Sequence, residues 1–232
     1  MLQLPRVVGH RGAMAYAPEN TLESFREAHR LGATWVEIDV KLTADGVPIV
    51  MHDDSLKRTT GVDRLTAETP AAELPASVPT FEQAIACFGE LGLGCNVEIK
   101  PCKGREAETA RVAVATLRRL WPARLPAPLL SSFKDASLAA ARDAAPEFAR
   151  ALLIDELKDD WRGRALAVEA VGINTNGKRL TAPRAVEIKQ AGYLLSTYTI
   201  NDADVARVLV AMGTDCIITD MPDVVLVALA HQ

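Results

Sequence analysis

Eight short apolar runs, each followed by a longer helical pattern, alternate along the 232-residue chain. Such alternation marks βαβ units, because parallel strands need crossover connections that cover both faces of their sheet. Strands are expected near 6–10, 35–42, 95–100, 129–133, 149–154, 171–174, 194–199 and 216–219. Helices are expected near 21–31, 81–88, 106–120, 134–144, 161–168, 181–190, 202–212 and 222–230. Asn20 or Thr21 supplies a cap for the first helix, with Glu23 near its start, and Gly32 and Gly192 sit where helices end in a left-handed residue. Eight such pairs favour an α/β chain folded as a single closed TIM (β/α)8 barrel, typically of ~250 residues. An open doubly wound sheet stays possible, since periodicity does not report closure. Hydrophobic residues, at 49%, suffice for one large core, which must be mostly aliphatic because aromatics make up only 5%. With no linker, repeat or low-complexity tract, residues 1–232 read as one domain.

One stretch departs from the alternation. Residues 48–51 read as an extra short strand, joined to the second strand through the turn Ala44-Asp45-Gly46, and therefore as a hairpin on it. After it, 53–79 is polar, irregular and rich in Thr, Ala and Pro. A loop of that length inside a compact fold is usually functional.

Glu37 and Asp39 lie two apart on the second strand, so they share a face, while Val36, Ile38 and Val40 take the other. In a barrel the apolar set packs against helices and the carboxylates point inward, at the mouth where active sites form. Glu98 and Lys100 repeat the device on the third strand. Three converging carboxylates repel one another unless a positive charge sits among them. An all-oxygen set suits one hard divalent cation, Mg2+ or Ca2+, better than zinc. The competing reading, exposed charges on an edge strand, fits poorly with V-x-I-x-V alternation around them.

Of four histidines, His29 falls within a helical pattern and His231 at the chain end, and both read as ordinary surface residues. His10 and His52 each close a strand and flank the carboxylates, supplying the acid and base that splitting a phosphodiester requires. Arg11 can grip phosphate oxygens with a planar fork and Lys100 with a point charge. The alternatives are a surface salt bridge for Arg11 and a structural pairing with Glu98 for Lys100. Gly12 is expected to let the backbone approach a substrate.

The net charge of -4 and pI near 5.6 argue against a general nucleic-acid binder, which usually carries a basic face, and against docking on anionic membranes. The N-terminus lacks a signal-peptide pattern, and no run of ~20 apolar residues occurs. Cys87, Cys95, Cys102 and Cys216 show no zinc-like spacing and read as small, partly buried apolar residues in a reducing compartment, consistent with a cytoplasmic protein.

These residues fall in an ordered set of motifs: GHRG at 9–12, PENT at 18–21, EIDV at 37–40, HDD at 52–54, RTTG at 58–61, PTFEQA at 79–84, VEIK at 97–100, YTIND at 198–202 and GTDCIITDMP at 213–222. The set resembles the glycerophosphodiester phosphodiesterase family along essentially the whole chain. The resemblance implies a TIM barrel that hydrolyses glycerophosphodiesters to sn-glycerol 3-phosphate and an alcohol. It implies His10 and His52 as the acid/base pair, Glu37, Asp39 and Glu98 as metal ligands, and Arg11 and Lys100 at the phosphate. Where that family often has Trp in a W-T-V-N segment, this chain has Tyr198, an aromatic wall for the glycerol end with an added hydroxyl. The segment between RTTG and PTFEQA is shorter than in many bacterial members, which bears on the choice of alcohol. Two rivals remain: a barrel phospholipase of the sphingomyelinase D or phosphatidylinositol phospholipase C kind, and a catalytically dead barrel that senses phosphodiesters.

Overall fold

The computed structural model describes residues 2–230, so His231 lies outside the described residues. The strands are β1 (Val7–His10), β2 (Trp35–Leu42), β3 (Pro48–Val50), β4 (Gly94–Ile99), β5 (Leu129–Ser132), β6 (Ala149–Ile154), β7 (Gly172–Asn176), β8 (Leu194–Tyr198) and β9 (Cys216–Thr219). All but β3 run parallel in a ring that closes through pairing of β1 with both β2 and β9. This is the closed eight-strand barrel, and the open-sheet alternative is excluded. Helices α1 (Leu22–Arg30), α3 (Phe81–Leu91), α4 (Glu106–Leu120), α5 (Asp135–Ala144), α6 (Trp161–Ala167), α7 (Ala182–Gln190), α8 (Ala203–Ala211) and α9 (Pro222–Leu229) alternate with the ring strands, and a one-turn α2 (Lys57–Thr60) lies after β3.

Thr21, not Asn20, caps α1, accepting from the backbone N–H of Ser24 at 3.1 Å. A full capping box, Thr80 with Gln83, starts α3. That helix outlasts its expected end because Gly89 stays helical and the turn-off falls at Gly92, φ 74°.

Outward strand residues such as Val36, Ile38, Val40, Val97 and Ile99 pack beneath the helices, as their parity requires. Inside the barrel, Val8, Trp35, Leu129, Ala151, Cys216 and Ile218 form an interior layer, with Tyr198 packed against it. The Trp35 indole lies across Gly94, where a Cβ would fall 2.2 Å from a ring carbon. Gly94→Ala should therefore overpack this layer and cost about 1–3 kcal/mol, read as a lower midpoint in denaturant titration. Activity should persist, because Trp35 and Gly94 begin their strands, at the end of the barrel opposite the mouth.

The four-residue β1 is shorter than the eight-residue β2. The upper half of β2 thus has a free edge, and β3 pairs with it antiparallel through Val40↔Val50 to Leu42↔Pro48. This is the expected hairpin, and it carries the following residue pair, Met51 and His52, back over the mouth. The segment 53–79 is less irregular than its sequence suggested. It contains α2 and two 3-10 turns, Thr66–Glu68 and Ala71–Glu73, around a small core of Ile49, Met51, Leu56 and Val78. All four cysteines are free and buried. His29 is exposed on α1.

Candidate active site

Strand register assembles the carboxylates. His10 pairs with Glu37 across β1 and β2, and Asp39 with Glu98 across β2 and β4. One oxygen each from Glu37, Asp39 and Glu98 lies within 4.8 Å of the other two, and the three side chains are buried. Burial pushes the Glu37 carboxyl well above its ordinary value, reinforced by Asp39 and Glu98. Burial likewise lifts Glu98 to about 7, with Asp39 adding to it and Lys100 opposing. Burial alone would raise Asp39 too, but Lys100 and Arg11 outweigh it and hold that carboxylate ionised.

Both cations reach the cluster. Lys100 Nζ lies 3.2 Å from Asp39 Oδ1 and donates to Glu98 Oε1 at 3.1 Å. It sits 5.9 Å from the centroid of the Phe133 ring. Arg11 occupies a left-handed conformation, φ 49°, which aims its backbone N–H at Glu37 Oε2, 3.2 Å away. Its guanidinium lies 3.3 Å from Asp39 Oδ2 and donates to Glu19 Oε1 at 2.7 Å. Both competing readings are thus partly true, since Arg11 and Lys100 pair with carboxylates, yet they do so inside the mouth. Asn20, also left-handed at φ 57°, donates to Asp39 Oδ2 at 2.9 Å. Strain of this kind persists where surrounding contacts over-determine it. Gly12 does not face the cavity. A Cβ there would meet Ser24 Oγ at 2.3 Å, so the glycine admits α1 rather than a substrate.

Each histidine is held through Nδ1 by an aspartate. His10 Nδ1 is 2.6 Å from Asp220 Oδ1, and His52 Nδ1 is 2.6 Å from Asp53 Oδ1. Burial would raise Asp220, but hydrogen bonds from His10 and Asn201 hold it below its ordinary value. Hydrogen bonds from Arg58 hold Asp53 at about 2, against burial and with help from His52. An ionised carboxylate only accepts, so Nδ1 carries the hydrogen in both rings and Nε2 is left for chemistry. His10 Nε2 is 3.9 Å from Glu37 Oε2. The aspartates are themselves held: Asn201 donates to Asp220 Oδ2 at 2.7 Å, and Arg58 bridges Asp53 and Glu19. Burial keeps the His52 imidazole below its ordinary value, although Asp39 and Asp53 pull it up.

His10, Arg11, Glu37, His52, Glu98, Lys100 and Tyr198 line one cavity of about 220 Å³, and Asp39 lies just behind it, 1% exposed. Phe133 and Tyr198 wall its far side edge to face, with centroids 6.0 Å apart. Beyond His52 the cavity adjoins a groove of about 530 Å³ lined by Asp53, Asp54, Phe133 and Lys134. All eight residues singled out from the sequence thus gather at one place. The supporting residues Glu19, Asp53, Arg58, Asn201 and Asp220, and Asn20 beyond its reading as a helix cap, lie inside the quoted motifs, but no sequence pattern marks them as partners of the site.

Residues 10–224 match the model of the glycerophosphoryl diester phosphodiesterase family. A glycerophosphodiester phosphodiesterase of Caldanaerobacter subterraneus is 27% identical over 95% of this chain and 96% of its own length. The structure of an Oleispira antarctica phosphodiesterase, in complex with its product sn-glycerol-3-phosphate, superimposes with a TM-score of 0.95 at 36% identity, covering 98% of this chain and 97% of that one. That of a Thermotoga maritima glycerophosphodiester phosphodiesterase gives 0.79 at 26% identity over 96% and 97%. The match begins at the first histidine of the mouth and runs through the last barrel strand, and on it the chain belongs to the glycerophosphoryl diester phosphodiesterase family.

Proposed function

We propose that this phosphodiesterase hydrolyses small glycerophosphodiesters to sn-glycerol 3-phosphate and a free alcohol, with His10 and His52 as the acid/base pair and one divalent cation on Glu37, Asp39 and Glu98. The carrying observation is the pair of aspartate-held histidines flanking a buried three-carboxylate cluster. Oxygens that share one Mg2+ or Ca2+ at ~2.0–2.6 Å lie no more than about 5 Å apart, and this set meets that limit. Burial and mutual repulsion keep Glu37 and Glu98 from ionising readily, and a dication among the three carboxylates would supply the charge that lets them ionise, so the residues fit the ion. When bound, such an ion polarises phosphoryl oxygens and stabilises charge developing on them.

The chain's own groups account for the rest. Arg11 and Lys100 bind and orient the phosphodiester from the cationic side of the cavity, where burial strengthens the attraction. Lys100 stays fully protonated because Asp39 and Glu98 raise its pKa against the effect of burial. Asp220 and Asp53 fix the tautomer and aim of the two imidazoles. One Nε2 takes the proton of the attacking hydroxyl, from water or from the glycerol itself, and the other protonates the departing alkoxide. The groove beyond His52 is wide enough for varied alcohols.

We further propose a single-domain cytoplasmic enzyme without stable membrane association. No described helix is long and apolar enough to cross a membrane. Of the three leucines of 53–79, Leu56 is buried, Leu74 packs on the small core and only Leu65 is exposed, with no aromatic anchor beside it. Deacylated glycerophosphocholine and glycerophosphoethanolamine should therefore be turned over with kcat/KM at least tenfold above lysolipid micelles or phosphatidylcholine vesicles at matched metal. Equal or better efficiency on vesicles would favour the barrel phospholipase reading, and binding without turnover would favour the sensor.

A further inference from the structure

A guanidinium presents its N–H donors in a rigid planar fork, and a carboxylate accepts two of them side by side. Arg58 divides its fork between two carboxylates. Nε and Nη2 donate to Asp53 at 2.5 and 3.1 Å, while Nη1 and Nη2 donate to Glu19 at 2.6 and 2.8 Å. Asp53 in turn holds His52 Nδ1, and Glu19 accepts from Arg11 Nη1. A line of alternating charge therefore runs from His52 through Asp53, Arg58 and Glu19 to Arg11. Burial would raise the Glu19 carboxyl, but Arg58 and Arg11 hold it below its ordinary value.

The two ends of this line belong to different parts of the fold. Glu19 lies in the loop before α1, whereas Asp53 and Arg58 follow the hairpin. The hairpin is fixed as far as Met51, whose backbone N–H donates to Asp39 O at 2.9 Å. Past that point, the Arg58–Glu19 fork supplies the only hydrogen bonds between residues 18–23 and 50–66 among the described residues. A cavity of about 520 Å³, walled by Leu22 and Glu23 on one side and Val50 and Thr60 on the other, lies between the two segments. Packing alone thus does not set their separation. The one-turn α2 that carries Arg58 is anchored by Leu56, 0% exposed, and the Arg58 side chain itself is half exposed.

We propose that Arg58 is a positioning residue, a latch that aims His52 at the phosphodiester by tying the segment after the hairpin to the loop that orients Arg11. The assignment rests on the phosphodiesterase reading above and adds a residue that touches neither substrate nor cation. Asp53 alone fixes the tautomer of His52, but its carboxylate can turn with the imidazole. With both Asp53 oxygens taken by Arg58, the carboxylate plane is set, and the plane sets the ring. Glu19 then refers that plane to the guanidinium that grips the phosphate. Planarity is essential to this task, because a lysine offers a point charge with no preferred plane.

The test measures kcat and KM for glycerophosphocholine with the metal-loaded enzyme. Arg58→Ala should lower kcat about 10–100-fold, the scale on which a misaimed group costs rate. KM should move little, since Arg11 keeps its contacts with Glu19 and Asp39. Arg58→Lys should recover only part of the lost kcat. Free guanidinium can enter the half-exposed place of the missing side chain and should restore kcat of Arg58→Ala about tenfold, with sodium at equal ionic strength as the control. In a His52→Ala background there is no imidazole to aim, so adding Arg58→Ala should change kcat by less than about threefold. Wild-type kcat in Arg58→Ala overturns the latch, and so does full activity in Arg58→Lys. A loss that guanidinium leaves untouched, or one that is equal with and without His52, marks general damage to the fold and overturns it too. Thermal melts accompany each variant. If Arg58→Ala does not fold, Arg58→Lys with and without His52→Ala carries the same comparison. Failure of the wild-type enzyme to hydrolyse any glycerophosphodiester would instead overturn the underlying functional reading, which separates the two failures.

Discussion

His10→Ala and His52→Ala should each lower turnover of glycerophosphocholine by about 10²–10⁴-fold, the range general acid/base catalysis supplies. Both proteins should fold and keep their metal. The His10 side chain is 15% exposed, at the end of β1, and that of His52 29%, just beyond β3, both over the mouth rather than in the packed layers below. Asp220→Asn and Asp53→Asn should produce smaller losses, since each replaces an acceptor-only carboxylate with an amide that can also donate, so the tautomer is no longer fixed while the imidazole stays in place. The substrate must have a poor leaving group. A nitrophenyl ester departs without a proton and would hide the loss of whichever histidine is the acid. The decisive measurement is single-turnover rate at saturating metal, with metal content read by elemental analysis on the same samples. Near-normal turnover in either alanine variant removes that histidine from the chemistry. A loss that tracks metal content assigns it to the cation instead.

Strand parity carried most of the site. Once Glu37 and Asp39 share a face opposite Val36 and Ile38, barrel geometry leaves them only the interior, and the same argument places Glu98 beside Lys100. Parity says which way a side chain points, but not which remote loop closes on it. His10 and Asp220 are 210 residues apart, and Glu19 and Arg58 are 39 apart. Those contacts arise only when the ring closes and the hairpin folds back over it. Asp53, Arg58 and Asn201 were legible as motif members but not as partners. The misreadings were local. Segment 53–79 lacks periodicity because its helical pieces are one turn long, too short for a 3.6-residue repeat to register. In sequence, Gly12 reads as a place where the backbone approaches a substrate, yet its φ of 93° and the closeness of Ser24 serve the packing of α1. A glycine in a motif reports that something comes close, and the sequence does not say what.

Removing the cation should abolish activity, and its absence should also change how stability depends on pH. Below the ordinary carboxylate value of 4.5 Glu98 is protonated whether folded or unfolded, and the neutral form suits its buried place. As pH rises toward about 7 the unfolded chain ionises first, so the stability conferred by the raised pKa is progressively lost. That shift corresponds to a change on the order of 3 kcal/mol at about 1.4 kcal/mol per unit, and Glu37, also raised by burial, adds in the same direction. Asp39 acts oppositely, but its lowered pKa matters only in more acid solution. In chelator the melting temperature should therefore fall between pH 5 and pH 8. Glu98→Gln and Glu37→Gln should each flatten that fall and be more stable than wild type at pH 8 without metal, because a neutral amide relieves the repulsion. Mg2+ or Ca2+ should restore both activity and stability to the wild-type protein at pH 8 and do so poorly in these variants and in Asp39→Asn. The two readouts need not fail together. Full activity in chelator, with no metal retained, eliminates the cation from the reaction. A flat apo melting profile with metal-dependent activity retains the cation but shows that the carboxylates are not driven upward by one another and by burial.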